Sequence, residues 1–188
     1  MIRFFDFLLA VTGLIFTLPI LLVVTIIGYF DNGSPIFIQT RVGKGKKPFN
    51  LIKFRTMKVE TESVASHLAN EQSITKMGKV LRKTKIDELP QLINVVKGEM
   101  SLVGPRPNLF NQEELIEART KQGVYDVLPG ITGLAQVSNI DMSTPELLAI
   151  TDRDMLNTLT LKSYFKYILL TVKGNGSGDA VKNKEGNR

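Results

Sequence analysis

Two adjacent carboxylates, Asp87 and Glu88, open the run Asp87-Glu88-Leu89-Pro90-Gln91-Leu92-Ile93-Asn94, and an arginine follows in the turn-like Gly104-Pro105-Arg106-Pro107. Carboxylates beside basic groups at a helix start suit the handling of a phosphate and a divalent cation. Other chemistries are narrowed by composition. With no cysteine, the chain has no thiolate nucleophile, thiolate metal site or disulfide. The single histidine, His67, rules out a multi-histidine metal site and leaves a serine–histidine–aspartate mechanism one candidate base. It lies in the polar stretch Ser63 to Asn70 and reads as a surface residue. Carboxylates, basic groups and hydroxyls must carry whatever chemistry there is.

The elements that position these groups can be read from periodicity. A helix is expected from about Asp87 to Lys97, closed by Gly98. Ile86, Leu89, Leu92, Ile93 and Val96 would form its apolar face, with Asp87, Gln91 and Asn94 opposite. Pro90 is tolerated only in a first turn, which favours Asp87 as N-cap. Two roles remain open for Asp87: a structural cap, or an ionised nucleophile or cation ligand. Upstream, Ile74 to Lys83 has helical spacing and a basic face that includes Arg82, close enough to the acidic pair to reach a bound anion.

Between Phe7 and Phe30 no residue is charged. As a helix this run is about 36 Å long, enough for a hydrocarbon core of about 30 Å. It is too long for a signal-peptide core, and no small-x-small cleavage pattern follows. Pro19 at its middle would leave two arms of about 17 to 18 Å, each too short to cross. The segment alone is compatible with a kinked spanning helix or with a re-entrant helix-break-helix that leaves by the face it entered. Arg41, Lys44, Lys46, Lys47, Lys53, Arg55 and Lys58 follow it, which puts the polar part on the cytoplasmic side.

Pro35 to Thr40 and Phe49 to Arg55 read as the strands of a β-hairpin with a basic Gly-Lys tip. Lys53 and Arg55 share one face of the second strand, as a solvated basic edge or a surface for phosphates and anionic lipid headgroups. Pro145 to Leu161 looks helical. Leu161 to Val172 is apolar but too short to span, so it is expected as an interfacial or core-packed amphipathic helix. The fold class is therefore α+β and mainly helical, with a membrane anchor at 1–30, a catalytic domain at 31–173 and a disordered tail at 174–188.

The run Ile86 to Pro107 resembles the bacterial sugar transferase family, the monotopic phosphoglycosyl transferases. So do Lys53-Phe54-Arg55-Thr56-Met57, Arg41 with Gly43, and Pro129-Gly130-Ile131-Thr132-Gly133-Leu134-Ala135-Gln136-Val137. With the proline-broken apolar segment, these motifs cover most of the chain to Val137. The resemblance implies transfer of a sugar 1-phosphate from a UDP-sugar to a polyprenyl (undecaprenyl) phosphate at the bacterial cytoplasmic membrane, the first membrane step of glycan assembly. It further implies Mg²⁺, Asp87 as nucleophile forming a phosphosugar intermediate, and Glu88 supporting the metal and proton handling. Arg106 and Arg82 are the first choices for binding phosphate, and Lys53, Arg55 and Gln136 follow. The family's re-entrant helix favours the hairpin at Pro19. Two departures stand out: Leu128 where a basic residue is usual, and Tyr164 where an aspartate is expected in the last helix. Two other classes compete with the enzyme: an idle membrane adaptor for glycan-assembly partners, and a nucleic-acid binder. The intact dyad argues against the adaptor, and the apolar anchor makes an anionic leaflet the better partner for the positive charge.

Overall fold

The structure, a computed structural model, describes residues 1–61 and 71–176. His67, the whole polar stretch Ser63 to Asn70 around it, and residues 177–188 of the expected tail lie outside the described residues. Helix α1 (Ile2–Asn32) is one continuous helix that runs through Pro19. The two arms expected on either side of Pro19 are thus joined in one helical element. Proline removes one donor, the one that would meet the Ile15 carbonyl, and the flanking turns continue the helical ladder. Thr17 Oγ1 bonds the Gly13 carbonyl at 2.7 Å in the preceding turn.

A buried stripe of Asp6, Ala10, Val24 and Gly28 runs along α1, while Phe4, Phe7, Phe16, Ile20, Ile27 and Phe30 on its other faces are exposed. Both ends of the helix are tied to the rest of the chain. At the start, Arg3 donates to the carbonyls of Val95 at 2.7 Å and Met100 at 2.9 Å. Toward the end, Val24 packs with Phe54 and Leu81, and Gly28 lies against Pro35 where a Cβ would approach to 2.9 Å.

The hairpin forms as expected, from β1 (Ile36–Val42) and β2 (Pro48–Phe54), antiparallel with Phe37 opposite Lys53. Helix α2 (Lys76–Thr84) is N-capped by Thr75, whose Oγ1 accepts from the Gly78 amide at 2.9 Å. Helix α3 (Gln91–Lys97) ends at Gly98 in the left-handed region, φ 86°. Two short strands that periodicity does not reveal, β3 (Ser101–Val103) and β4 (Gly130–Thr132), pair in parallel. Around them stand α4 (Glu113–Lys121), α5 (Leu134–Val137), α6 (Pro145–Thr158) and α7 (Leu161–Val172). The main core joins Ala10 of α1 to Phe49, Leu51, Val95, Met100, Leu102, Met155, Tyr164 and Tyr167. Helix α7 is packed in the core on one side, through Tyr164 and Tyr167, and leaves Phe165, Leu169 and Val172 exposed on the other.

Asp6 locks α1 to this core. Its Oδ1 accepts from Ser101 Oγ, the Leu102 amide and Tyr164 Oη, each at 2.9 Å, in a site where Asp6 is 1% exposed. Burial, reinforced by the Asp6 charge, pushes the Tyr164 phenol far above its ordinary value, so it stays a donor. Asp6→Ala leaves three buried donors unmet, at about 1–3 kcal/mol for each such group. Asp6→Asn keeps an acceptor. Thermal unfolding of the detergent-solubilised chain is expected to show Asp6→Ala losing several-fold more stability than Asp6→Asn, and equal losses would contradict the latch.

Candidate active site

Helix α2 ends at Thr84, and Lys85 takes the left-handed region, φ 58°, which turns the chain into a 3-10 turn at Ile86–Glu88. Asp87 is 2% exposed and Glu88 6% exposed within that turn. The expected N-cap role for Asp87 is not observed: α3 begins at Gln91, after Pro90 with φ −62°, and no side chain caps it. Proline has no amide to give and so sits where a helix has no carbonyl waiting for one. Residues in a 3-10 turn are rotated by about 120° from one to the next, so the two carboxylates meet different neighbours.

Of the amphipathic expectation for α3, Leu92 and Val96 do pack on the core, but the face expected to be polar is buried as well. Gln91 and Asn94 are buried, whereas Ile93 is 37% exposed. Asn94 explains this burial by satisfying β2: its Oδ1 accepts from the Ile52 amide at 3.0 Å and its Nδ2 donates to the Asn50 carbonyl at 2.8 Å. A buried amide that meets backbone groups otherwise lacking partners is stable inside. The apolar side of α3 turns to α1, where a Cβ at Gly13 would lie 3.1 Å from Leu92.

Arg106 reaches the dyad from the loop after β3, with Nη2 2.6 Å from Glu88 Oε1. That loop is held from three directions. On the β4 side, the Gly104 amide bonds the Thr132 carbonyl and the Gly130 amide bonds the Pro105 carbonyl, both at 2.8 Å. The backbones are so close that a Cβ at Gly130 would lie 2.0 Å from the Gly104 nitrogen. From the hairpin, Arg41 Nη1 donates to the Pro107 carbonyl at 3.2 Å, and the Val42 amide to the Asn108 carbonyl at 2.9 Å. From α4, Arg119 Nη1 donates to the Arg106 carbonyl at 2.8 Å and to Asn108 Oδ1 at 3.0 Å. Gly130→Ala must displace the Arg106 loop, because the obstacle is backbone. It is expected to reduce turnover at least about tenfold and to destabilise by about 1–3 kcal/mol, checked by kinetics alongside thermal unfolding. Wild-type turnover would contradict the role given to this contact.

Arg119 is itself paired with Asp152 of α6, Nη2 to Oδ2 at 2.6 Å, with both side chains essentially inaccessible. Sequence reasoning missed Arg119, Asp152 and Asn108. A signal existed for one of them: Asp152 falls on the stripe formed by Leu148, Ala149 and Met155, all buried, and a carboxylate on an apolar helix face needs a partner.

The remaining expected site residues are distributed unevenly. Lys53 is 7% exposed and lies 5.7 Å from the Phe37 ring centroid, so the solvated basic edge is not what forms. Its strand packs against the 3-10 turn of the dyad. Arg55 is turned to the start of the hairpin, where its Nε donates to the Ser34 carbonyl at 2.9 Å. Arg82 Nε donates to Thr56 Oγ1 at 2.8 Å, and its helix also packs on the turn. Gln136 Nε2 donates to the Gly104 carbonyl at 3.3 Å, so it braces the arginine loop.

A cleft of about 580 Å³ opens beside Glu88, lined on one side by Leu89, Leu92 and Leu102 and on the other by Ile131, Ile168 and Val172. Lys83, Lys85 and Lys173 also line it, as do Thr84, Thr132 and Thr171. Burial lowers the Lys85 pKa, with Glu88 opposing and Arg106 adding to the effect. Among the described residues no cluster of three or more acidic or histidine side chains could hold a metal by itself. Mg²⁺ asks for less, being commonly held by one or two carboxylates completed by water and substrate phosphates, and Asp87 and Glu88 are the candidates for it.

The family described as bacterial sugar transferase matches residues 1–176. The UDP-glucose:undecaprenyl-phosphate glucose-1-phosphate transferase of Caulobacter vibrioides is 38% identical over 164 residues, covering 82% of this chain and 61% of that protein. Its namesake in Klebsiella pneumoniae is 37% identical over 180 residues, covering 90% of this chain and 39% of that protein. Bacillus subtilis EpsL, an uncharacterized sugar transferase, is 44% identical over 137 residues, covering 72% of this chain and 67% of that protein. The chain spans between about a third and two-thirds of the length of the curated relatives it matches.

Proposed function

The chain belongs to the bacterial sugar transferase family, and from that premise we propose that it transfers a sugar 1-phosphate from a UDP-sugar to a polyprenyl phosphate at the cytoplasmic membrane. The observation that carries this reading is the buried Asp87-Glu88 turn with Arg106 2.6 Å from Glu88. In the first step a carboxylate oxygen of Asp87 attacks the phosphorus attached to the sugar. The bond to the bridging oxygen breaks, and UMP leaves with the electron pair. In the second step a phosphate oxygen of the prenyl phosphate attacks the same phosphorus, forming the diphosphate and freeing Asp87. With the acceptor as its dianion, no net proton moves across the two steps.

The protein's part is positioning and electrostatics. Near-complete burial excludes water from an aspartyl phosphate that water would hydrolyse. Arg106 rests on Glu88, and a guanidinium fork can move from carboxylate to phosphate oxygens without losing its charge-assisted bonds. Glu88 and Asp87 would hold Mg²⁺ with the diphosphate, and the ion, when bound, offsets the charge of the reacting phosphate oxygens.

We further infer that α1 lies in one leaflet with both ends on the cytoplasmic side. Its contacts support this, since Arg3 and Asp6 near one end and Val24 and Gly28 near the other all pack on the same domain. A perpendicular span would separate one end from that domain by the membrane thickness of about 30 Å. A tag at Met1 is expected to be unreachable from outside intact cells, and labelling from outside would exclude the arrangement.

The activity is tested with the full chain in detergent, Mg²⁺, undecaprenyl phosphate and a UDP-sugar panel headed by UDP-glucose, UDP-galactose and UDP-N-acetylgalactosamine. UMP release that requires the lipid, with at least one donor, is expected. Absence of release across the panel would favour a catalytically idle membrane adaptor.

A further inference from the structure

We propose that the cleft between α3, the β3–β4 pair and α7 receives the first isoprene units of the acceptor, with its phosphate at Lys85. This rests on the transferase reading and adds where, and by which residues, the lipid is held. The lining decides the class of occupant. Leu89, Leu92, Leu102, Ile131, Ile168 and Val172 present hydrocarbon, with Thr132 and Thr171 among them, and the charged lining comes from Lys83, Lys85 and Glu88 and from Lys173, two segments that the bond from Lys85 to the Asn175 carbonyl joins. A uracil and ribose need donors and acceptors along their length, whereas the hydroxyls of Thr132 and Thr171, set among the apolar wall residues, are bonded to each other. A branched hydrocarbon chain ending in a phosphate needs an apolar trough with cations at one end.

The cleft also sits where a membrane lipid can enter. Val172, one of its walls, is 80% exposed, and Leu169 on the same helix is 59% exposed. Phe165 of α7 meets Phe5 of α1 edge to face, ring centroids 5.4 Å apart, so the exposed apolar surfaces of the two helices are continuous. A volume of about 580 Å³ is that of a small-molecule site, so it takes the head of a long prenyl chain, and the remainder lies along this surface. Within the charged lining, Lys85 Nζ donates to the Asn175 carbonyl at 2.5 Å. An ammonium has three donors, so two more are available to phosphate oxygens. Glu88 lines the cleft and Asp87 does not. The adjacent carboxylates thus face different surroundings, with the acceptor arriving on the Glu88 side.

The test separates the two half-reactions in the full chain. Exchange of labelled UMP into UDP-sugar needs no acceptor, whereas transfer to undecaprenyl phosphate needs the cleft. Ile168→Trp fills the cleft from α7. It is expected to raise KM for undecaprenyl phosphate at least about tenfold, while KM for the UDP-sugar and the exchange rate change less than about twofold. Leu147→Trp, on the exposed side of α6, is the control and should move neither. Equal effects on both substrates, or none on the lipid, would overturn the assignment. Should Ile168→Trp fail to fold, the wild type decides: a prenyl phosphate with a diazirine near its head is expected to label 161–172 or 89–102, and labelling confined to other segments would overturn it. If the wild type performs neither exchange nor transfer, the transferase reading itself has failed.

Discussion

Asp87→Asn is expected to abolish transfer, with turnover at least about 10³-fold below wild type and exchange of UMP into UDP-sugar lost with it. The substitution is nearly isosteric, and Asp87 is 2% exposed in a tight turn, so shape is conserved while the nucleophilic oxygen is replaced by an amide. Thermal unfolding should therefore shift far less than activity. Loss of both half-reactions matters, because a residue that only oriented the acceptor would leave exchange intact. Equal UMP release by wild type and Asp87→Asn would remove Asp87 from the chemistry and leave its burial as a structural matter.

The second large effect lies away from the dyad, at the ion pair behind the arginine loop. Arg119→Met leaves Asp152 buried beside a thioether and withdraws the donor from the Arg106 carbonyl and Asn108. An uncompensated buried charge costs about 3–5 kcal/mol, which for a chain of this size lowers Tm by roughly 6–20 °C. Burial pushes the Asp152 carboxyl up, and Arg119 opposes it. With the arginine gone, the folded chain binds that proton more readily than the unfolded chain. The deficit should therefore be smallest below about pH 4, the ordinary carboxylate value, and grow as pH rises toward neutrality. Replacing both partners, Arg119→Met with Asp152→Leu, is expected to restore most of the stability, since well-packed apolar pairs replace buried ion pairs at little cost. Turnover should stay low in the double variant, because nothing then holds the Arg106 carbonyl. Calorimetry and kinetics on the same three proteins check this, and full recovery of activity with stability would show that the pair only holds the fold.

How much of this was legible in the sequence depends on how local the cause is. The hairpin was readable because β-branched and aromatic runs flank a Gly-Lys turn, and the end of α3 because Gly98 supplies a left-handed cap. The face of α3 was not: Asn94 faces inward because β2, some forty residues earlier, presents an amide and a carbonyl that it satisfies. The pairing of β3 with β4 escaped for the same reason. Each strand is three residues long, too short for a period, and their contact depends on Gly104 and Gly130 lying backbone to backbone. Pro19 suggested a break between two arms, whereas the helical element continues through the proline and both of its ends contact the rest of the chain. Arg55 and Arg82 were chosen for charge near a phosphate site, and the sequence does not say which protein oxygen holds each guanidinium, the Ser34 carbonyl for one and Thr56 Oγ1 for the other.

The central claim is that Asp87 carries the phosphosugar between donor and acceptor. Its most direct test is mass spectrometry of the intact, detergent-solubilised chain after incubation with a donor UDP-sugar and Mg²⁺ in the absence of prenyl phosphate, followed by peptide mapping at acidic pH. A mass increase of one sugar phosphate on the peptide containing Asp87 is predicted, discharged by added undecaprenyl phosphate and absent from Asp87→Asn. Turnover with no such adduct, or an adduct that maps to another residue and still forms in Asp87→Asn, would contradict it.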